Sequence, residues 1–144
     1  MSQATNYEDV MESLRQDFLE GSLDRLEQLE AVIDGIHNEN VLTAETLMDF
    51  HRQVHSLKGL GGTFGFPFIT LLSHRLEDYL ADLSGLSKSQ ARDVEAYLDA
   101  LRKVVETGSE PDEEQRDTIL RRLPVHGGDD SQEAAPQRDV EVLL

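Results

Sequence analysis

The residues best suited to chemistry are His55 and Lys58, three positions apart in one predicted helix. If Val54 and Leu57 face a core, His55 and Lys58 lie together on an adjoining face that water reaches. An exposed imidazole nitrogen can act as a nucleophile, and a nearby ammonium can offset the charge of a phosphoryl group placed there. The pair is therefore suited to nucleophilic chemistry in which Lys58 stabilises a phosphoryl group.

A carboxylate partner for His55 follows from the expected hairpin of the second and third helices, which turns near Phe66. In an antiparallel hairpin, residues equidistant from the turn lie at the same height. Glu77 is as far after Phe66 as His55 is before it, and His74 matches Lys58 in the same way. Glu77 can accept the Nδ1–H proton of His55, so that Nε2 presents its lone pair outward.

The helix surface beside His55 is expected to admit another protein. Gly59 and Gly62 follow His55 by four and seven positions and leave this face without side chains. The segment 45–80 has four acidic and three basic residues and is nearly neutral, so apolar contacts should dominate a modest, transient interface. The expected docking residues are Gly59, Leu60, Gly62, Phe68 and His51.

Apolar residues at three- and four-residue steps predict four amphipathic helices, which must position these side chains. The expected ranges are 7–36, 43–61, 67–83 and 87–108, with a short fifth helix at 111–123. Gly21 is expected to kink or split the first helix, and the glycines from Gly59 onward should end the second. Pro67 suits a helix start, and Ser87 with Gln90 is a capping-box pattern. The sequence predicts an all-α, up-and-down antiparallel four-helix bundle.

Three phenylalanines alternate with glycine and proline between the second and third helices, at positions 64, 66 and 68. The alternation is compatible with a strand, but the bundle offers no partner strand. We interpret the three rings as apolar plugs that anchor the turn.

Length and composition restrict the function. The chain has 144 residues, enough for one domain, which we expect at 1–123, and an acidic, Gly- and Pro-containing segment at 124–144 that reads as a disordered linker. Its apolar end, Val140–Leu144, suggests that a further domain follows. A net charge of −16 argues against nucleic acid or an anionic membrane as partner, and the absence of cysteine excludes thiol chemistry. A polar N-terminus and no long apolar run favour a cytoplasmic protein without membrane insertion.

Two other interpretations of the His55 region are weaker. His51 and His55 are four positions apart, as in a helical zinc pair, but Arg52 follows His51 where a zinc protease has glutamate, and no third ligand is evident. The glycines suggest a nucleotide loop, yet Lys58 precedes them inside a helical pattern. Neither a metal nor a cofactor is therefore expected.

The spacing resembles the histidine phosphotransfer (HPt) family, whose motif is a histidine, Lys-Gly three and four residues later, and a glycine at the tenth. His55, Lys58, Gly59 and Gly65 match it. The run H-S-L-K-G-L-G-G-T-F-G-F, with Leu76-Glu77 following, is similar to the N-terminal HPt domain of chemotaxis-type (CheA-like) histidine kinases.

This resemblance implies a four-helix phosphocarrier that is not itself an enzyme. His55 would be phosphorylated by the ATP-binding domain of a histidine kinase and would pass the group to an aspartate of a CheY-like response-regulator receiver domain. By position, Lys58 would be its electrostatic helper, Glu77 a hydrogen-bonding glutamate and His74 a histidine often found nearby. The alternative from another class is a helical adaptor without chemistry, in which mutation of His55 would leave partner binding intact.

Overall fold

Five α-helices make up the part of the chain that the computed structural model describes, residues 3–125. They are α1 Gln3–His37, α2 Ala44–Thr63, α3 Pro67–Leu80, α4 Lys88–Thr107 and α5 Glu113–Arg122. Helix α1 contacts α2, α2 contacts α3 and α3 contacts α4, and α4 returns to α1. Because the connections are short, consecutive helices run antiparallel. The predicted all-α four-helix bundle with a short fifth helix is confirmed.

One continuous apolar core holds the bundle together. Each helix from α1 to α4 contributes a buried stripe at three- and four-residue spacing, which is the pattern that predicted the helices. Core residues with no exposed surface include Leu26, Val54, Leu57, Ile69, Leu72, Leu76, Val94, Leu98 and Leu101. Partly buried Ile119 and Leu120 of α5 pack against this core.

Local capping chemistry sets several helix ends. The Ser87 side chain accepts a hydrogen bond from the Gln90 backbone N–H, and the Gln90 side chain accepts one from the Ser87 N–H, as a capping box requires. Gly108 ends α4 in the left-handed region, with φ at 73°. Asp112 caps α5 in the same reciprocal way with Gln115, which is why α5 begins at Glu113 and not at residue 111.

Three predicted boundaries are corrected by the structure. Gly21 does not split α1, which is one helix through that position. The glycines do not end α2 at residue 61, since α2 continues to Thr63 and turns only at Gly65, where φ is +88°. Helix α3 ends at Leu80, not at residue 83, although Leu83 still packs against the core from the following turn.

The phenylalanines anchor the α2–α3 turn as predicted. Phe66 and Phe68 are buried, and Phe64 stacks on Phe18 of α1 with ring centroids 5.1 Å apart. The turn is thereby fixed to the core at the point from which α3 departs. The predicted linker beyond residue 125 and the apolar end Val140–Leu144 lie outside the described residues.

Candidate functional site

Helix α2 presents His55 to solvent because the residues beside it, Val54 and Leu57, form the stripe that faces the core. Val54 and Leu57 have no exposed surface, whereas the His55 side chain is 69% exposed. This is the arrangement that the spacing predicted. The imidazole can therefore reach a second protein without any opening of the bundle.

Helix α3 brings Glu77 to the same place. Leu76 and Tyr79 are buried on the core side of α3, which leaves Glu77 at the edge facing α2 with 22% of its side chain exposed. His55 Nδ1 lies 2.8 Å from Glu77 Oε2. The register about Phe66 correctly predicted this contact.

Lys58 is bound to the other oxygen of the same carboxylate. Its Nζ lies 2.6 Å from Glu77 Oε1. Partial burial raises the pKa of Glu77, but hydrogen bonds from Lys58 and His55 together outweigh burial and leave that pKa below its usual value. The carboxyl group is therefore ionised at neutral pH and serves as the acceptor in each hydrogen bond.

An ionised Glu77 decides which ring nitrogen of His55 is available. Because a carboxylate can only accept, the short contact assigns the proton of neutral His55 to Nδ1. Nε2 then carries the lone pair. The site thus holds an exposed imidazole in the tautomer and orientation that a nucleophile needs.

His74 does not join this cluster by any contact that the structure gives. By its position in α3, His74 is level with Lys58, as predicted. However, its Nε2 lies 3.5 Å from Oδ2 of Asp78, one turn along its own helix, and its side chain is 55% exposed. Equal height in the hairpin brings two backbones level without directing the side chains toward each other. Lys58 turns instead to Glu77.

The predicted docking residues separate into two groups. Gly59, Leu60 and Gly62 are exposed on α2, and nothing lies within 4 Å of a Cβ added at Gly59. Phe68, in contrast, is 1% exposed and belongs to the core, so its assignment to the docking surface is wrong. Phe68 follows Pro67 at the start of α3, and the anchored α2–α3 connection directs this end of the helix toward the core.

A shallow depression beside His55 includes two residues, Met48 and Arg52, that the sequence analysis did not assign to the site. It is lined by Met48, His51, Arg52, His55 and Glu77. Met48 is 63% exposed although apolar. Its position seven residues before His55, on the same helix face, is a signal that could have identified it.

The described part of the chain shows neither a metal site nor a membrane-spanning helix. Residues 3–125 contain no group of three or more His, Cys, Asp or Glu side chains placed to hold a metal ion. Within the same range, no helix is both long enough and apolar enough to span a membrane.

Comparison with known proteins identifies the family. The family model described as "Hpt domain" matches residues 13–107, about two thirds of the 144-residue chain. Searches of curated proteins and of solved structures gave no match. Hpt domains act as phosphocarriers between kinase and receiver domains in two-component signalling. From the bundle, the exposed histidine and the match over most of its length, we conclude that the chain belongs to the Hpt domain family.

Proposed function

We propose that His55 is the phosphorylated residue of this Hpt domain, with Nε2 as the attacking atom. One observation carries the proposal: the exposed imidazole has its Nδ1 2.8 Å from the Glu77 carboxylate, which leaves Nε2 free to react. His51 and His74 lack such a short carboxylate contact among the residues described, which favours His55 over them.

The proposed transfer is a displacement at phosphorus. The Nε2 lone pair attacks the γ-phosphorus of ATP held by a kinase domain, an N–P bond forms, and the P–O bond to ADP breaks with its electrons leaving on ADP. The ring, still protonated on Nδ1, then carries a positive charge that Glu77 stabilises. In the second step a receiver carboxylate oxygen attacks phosphorus, and the N–P electrons return to Nε2. The same chemistry permits reverse transfer.

Lys58 has a second proposed task beyond its ion pair with Glu77. Its side chain is 29% exposed and lies beside His55, so its Nζ can offset charge on a phosphoryl group attached to Nε2. Gly59, Leu60, Gly62, His51 and Met48 supply the open surface onto which we propose that the receiver docks. His74 is proposed as a peripheral residue of this surface.

The finer assignment is a chemotaxis-type system in the cytoplasm, with a CheA-like kinase domain as donor and a CheY-like receiver as acceptor. Its support is the run from His55 to Phe66 together with Leu76-Glu77. The remainder of a kinase, in the same chain or another, would supply the nucleotide site.

Phosphorylation with labelled ATP and an active chemotaxis-type kinase domain tests the proposal. We expect label that is acid-labile and alkali-stable in the wild-type protein and in His51→Gln, and none in His55→Gln, because a phosphoramidate needs the ring nitrogen. The His51 variant is the matched control, one helical turn away. Label that persists in His55→Gln would move the site, and a wild-type protein that no kinase labels would favour the adaptor.

A further inference from the structure

Helices α2 and α3 are tightly packed at Gly61. A Cβ placed there would lie 2.8 Å from Thr70 Oγ1 and 3.0 Å from Phe66 O and Thr70 N. Two of these three atoms belong to the backbone and cannot rotate away. Only glycine permits this contact, and the contact presses Thr70 of α3 directly onto the backbone of α2.

Because the two helices are so close here, Thr70 forms a hydrogen bond between them. Its hydroxyl donates to the backbone carbonyl oxygen of Lys58 at 2.7 Å, in a partly buried position. A main-chain acceptor cannot move without its helix, so this bond ties α3 to the α2 backbone at Lys58. The side chain of that same residue extends to Glu77.

Thr70, Ser73 and Glu77 lie on one face of α3, spaced three and four residues apart. Thr70 is two helical turns, about 10 Å, from Glu77. A slide of α3 by one residue would move Glu77 by about 1.5 Å and rotate it by about 100°. Neither the 2.8 Å contact with His55 nor the 2.6 Å contact with Lys58 would survive such a change.

We propose that Thr70 is a positioning residue of the phosphotransfer site. Its hydroxyl, held against Gly61, sets the register of α3 on α2 so that Glu77 reaches His55 and Lys58 together. Thr70 touches neither the reacting nitrogen nor the phosphoryl group, and it acts through Glu77. The inference rests on the proposed function of His55, but its structural part can be tested separately.

The direct measurement is the tautomer of His55, read from the ¹⁵N chemical shifts of the ring at about pH 8, where an ordinary histidine is neutral. We expect Nδ1–H to dominate in the wild-type protein. In Thr70→Val, which keeps the shape but removes the donor, the Nδ1–H to Nε2–H ratio should fall roughly fivefold, the effect of one typical hydrogen bond. Thr70→Ser, which keeps the hydroxyl, should restore it.

Ser73→Ala is the matched control. Ser73 is fully buried on the same face of α3, yet its Oγ has no hydrogen-bond partner among the described residues. Removing this hydroxyl should leave the His55 tautomer unchanged. If Thr70→Val does not fold, Thr70→Ala removes the hydroxyl without placing a methyl group on the Lys58 carbonyl, and the same fall in the ratio is expected.

The outcomes distinguish this inference from the proposed function. A tautomer ratio that is unchanged in a folded Thr70→Val protein, or a wild-type protein without Nδ1–H dominance, would overturn the positioning role. If the ratio falls in Thr70→Val but not in Ser73→Ala, the positioning role stands. In that case, failure of the kinase to label the wild-type protein would refute only the phosphorylation of His55. Slower phosphorylation of Thr70→Val than of the wild-type protein would show that the positioning by Thr70 serves the phosphorylation of His55.

Discussion

At the scale of single residues, one carboxylate organises the site. Glu77 accepts from His55 with one oxygen and from Lys58 with the other. The sequence predicted the first contact, because two residues equidistant from Phe66 must lie level. It did not predict the second, because the length of the Lys58 side chain, and not its height in the hairpin, brings its Nζ to Glu77.

The lowered pKa of Glu77 predicts a pH-dependent effect of Glu77→Gln on stability. A carboxyl whose folded pKa lies below its unfolded value, normally near 4.5, stabilises the protein above that value and loses the contribution as pH falls through the folded pKa. We expect the variant to be less stable by about 1–2 kcal/mol at pH 7, with a difference that fades below about pH 4.5. Urea unfolding of the two proteins across this pH range measures it.

The neighbouring Asp78 provides the control for this measurement. Its side chain is 68% exposed, and its one ion-pair contact within residues 3–125 is with His74 at 3.5 Å. Asp78→Asn should therefore change the free energy of unfolding by less than about 1 kcal/mol at any of these pH values. A Glu77→Gln difference that grew as the pH fell would contradict the direction given for the pKa of Glu77.

At the scale of elements, the sequence predicted best what is decided locally. The Ser87–Gln90 capping box and the left-handed Gly108 involve residues a few positions apart, so their types alone fix the ends of α4. The glycines of α2 are different, because whether a glycine ends a helix depends on what packs against it. The sequence supported two interpretations of Phe68, as a turn anchor and as a docking residue, and its 1% exposure in the packed turn shows that only the first is right.

Gly59 and Gly61 should respond oppositely to alanine. At Gly59 an added Cβ has nothing within 4 Å, so Gly59→Ala should stabilise the protein by about 1 kcal/mol through helix propensity. At Gly61 the Cβ would meet backbone atoms at 3.0 Å, and Gly61→Ala should destabilise by about 1–3 kcal/mol. Thermal or urea unfolding of the two variants measures the contrast.

The same pair separates stability from docking. Under the proposed function, Gly59→Ala adds a methyl group to the open surface beside His55, and transfer to a receiver should slow although the protein is more stable. Equal destabilisation by the two substitutions would mean that α2 is packed at Gly59 as tightly as at Gly61. Unchanged transfer in Gly59→Ala would remove Gly59 from the docking surface.

At the scale of the whole molecule, hydrophobic periodicity was sufficient for the bundle because four amphipathic stripes can bury one another only around a common core. Hydrophobic periodicity does not predict specific contacts between side chains that are far apart in the sequence. Arg102 of α4, for example, binds both oxygens of Glu30 on α1 at 2.7 Å. No spacing rule links residues so far apart, and this pair contributes to holding α4 against α1.

The net charge of the protein predicts how the rate of phosphoryl transfer to a receiver depends on salt concentration. The chain carries −16, whereas the segment 45–80 around His55 is nearly neutral, so most of the negative charge lies away from the proposed docking surface. Under the proposed function the acceptor is a receiver with an acidic phosphorylation pocket, as the family resemblance implies, and long-range repulsion should slow its approach. Raising ionic strength from about 0.01 to 0.15 M shortens the screening length from about 30 to 8 Å. The second-order transfer rate constant should therefore increase severalfold.

Rapid-quench measurements of phosphoryl transfer from the labelled protein to a receiver, at several salt concentrations, test this expectation. The first-order rate at saturating receiver is the internal control, since it reports the step after encounter and should change little with salt. A rate constant that fell as salt rose would mean that opposite charges attract the partners. The neutral surface around His55 would then be only part of the interface, and the acidic faces of the bundle would take part in selecting the receiver.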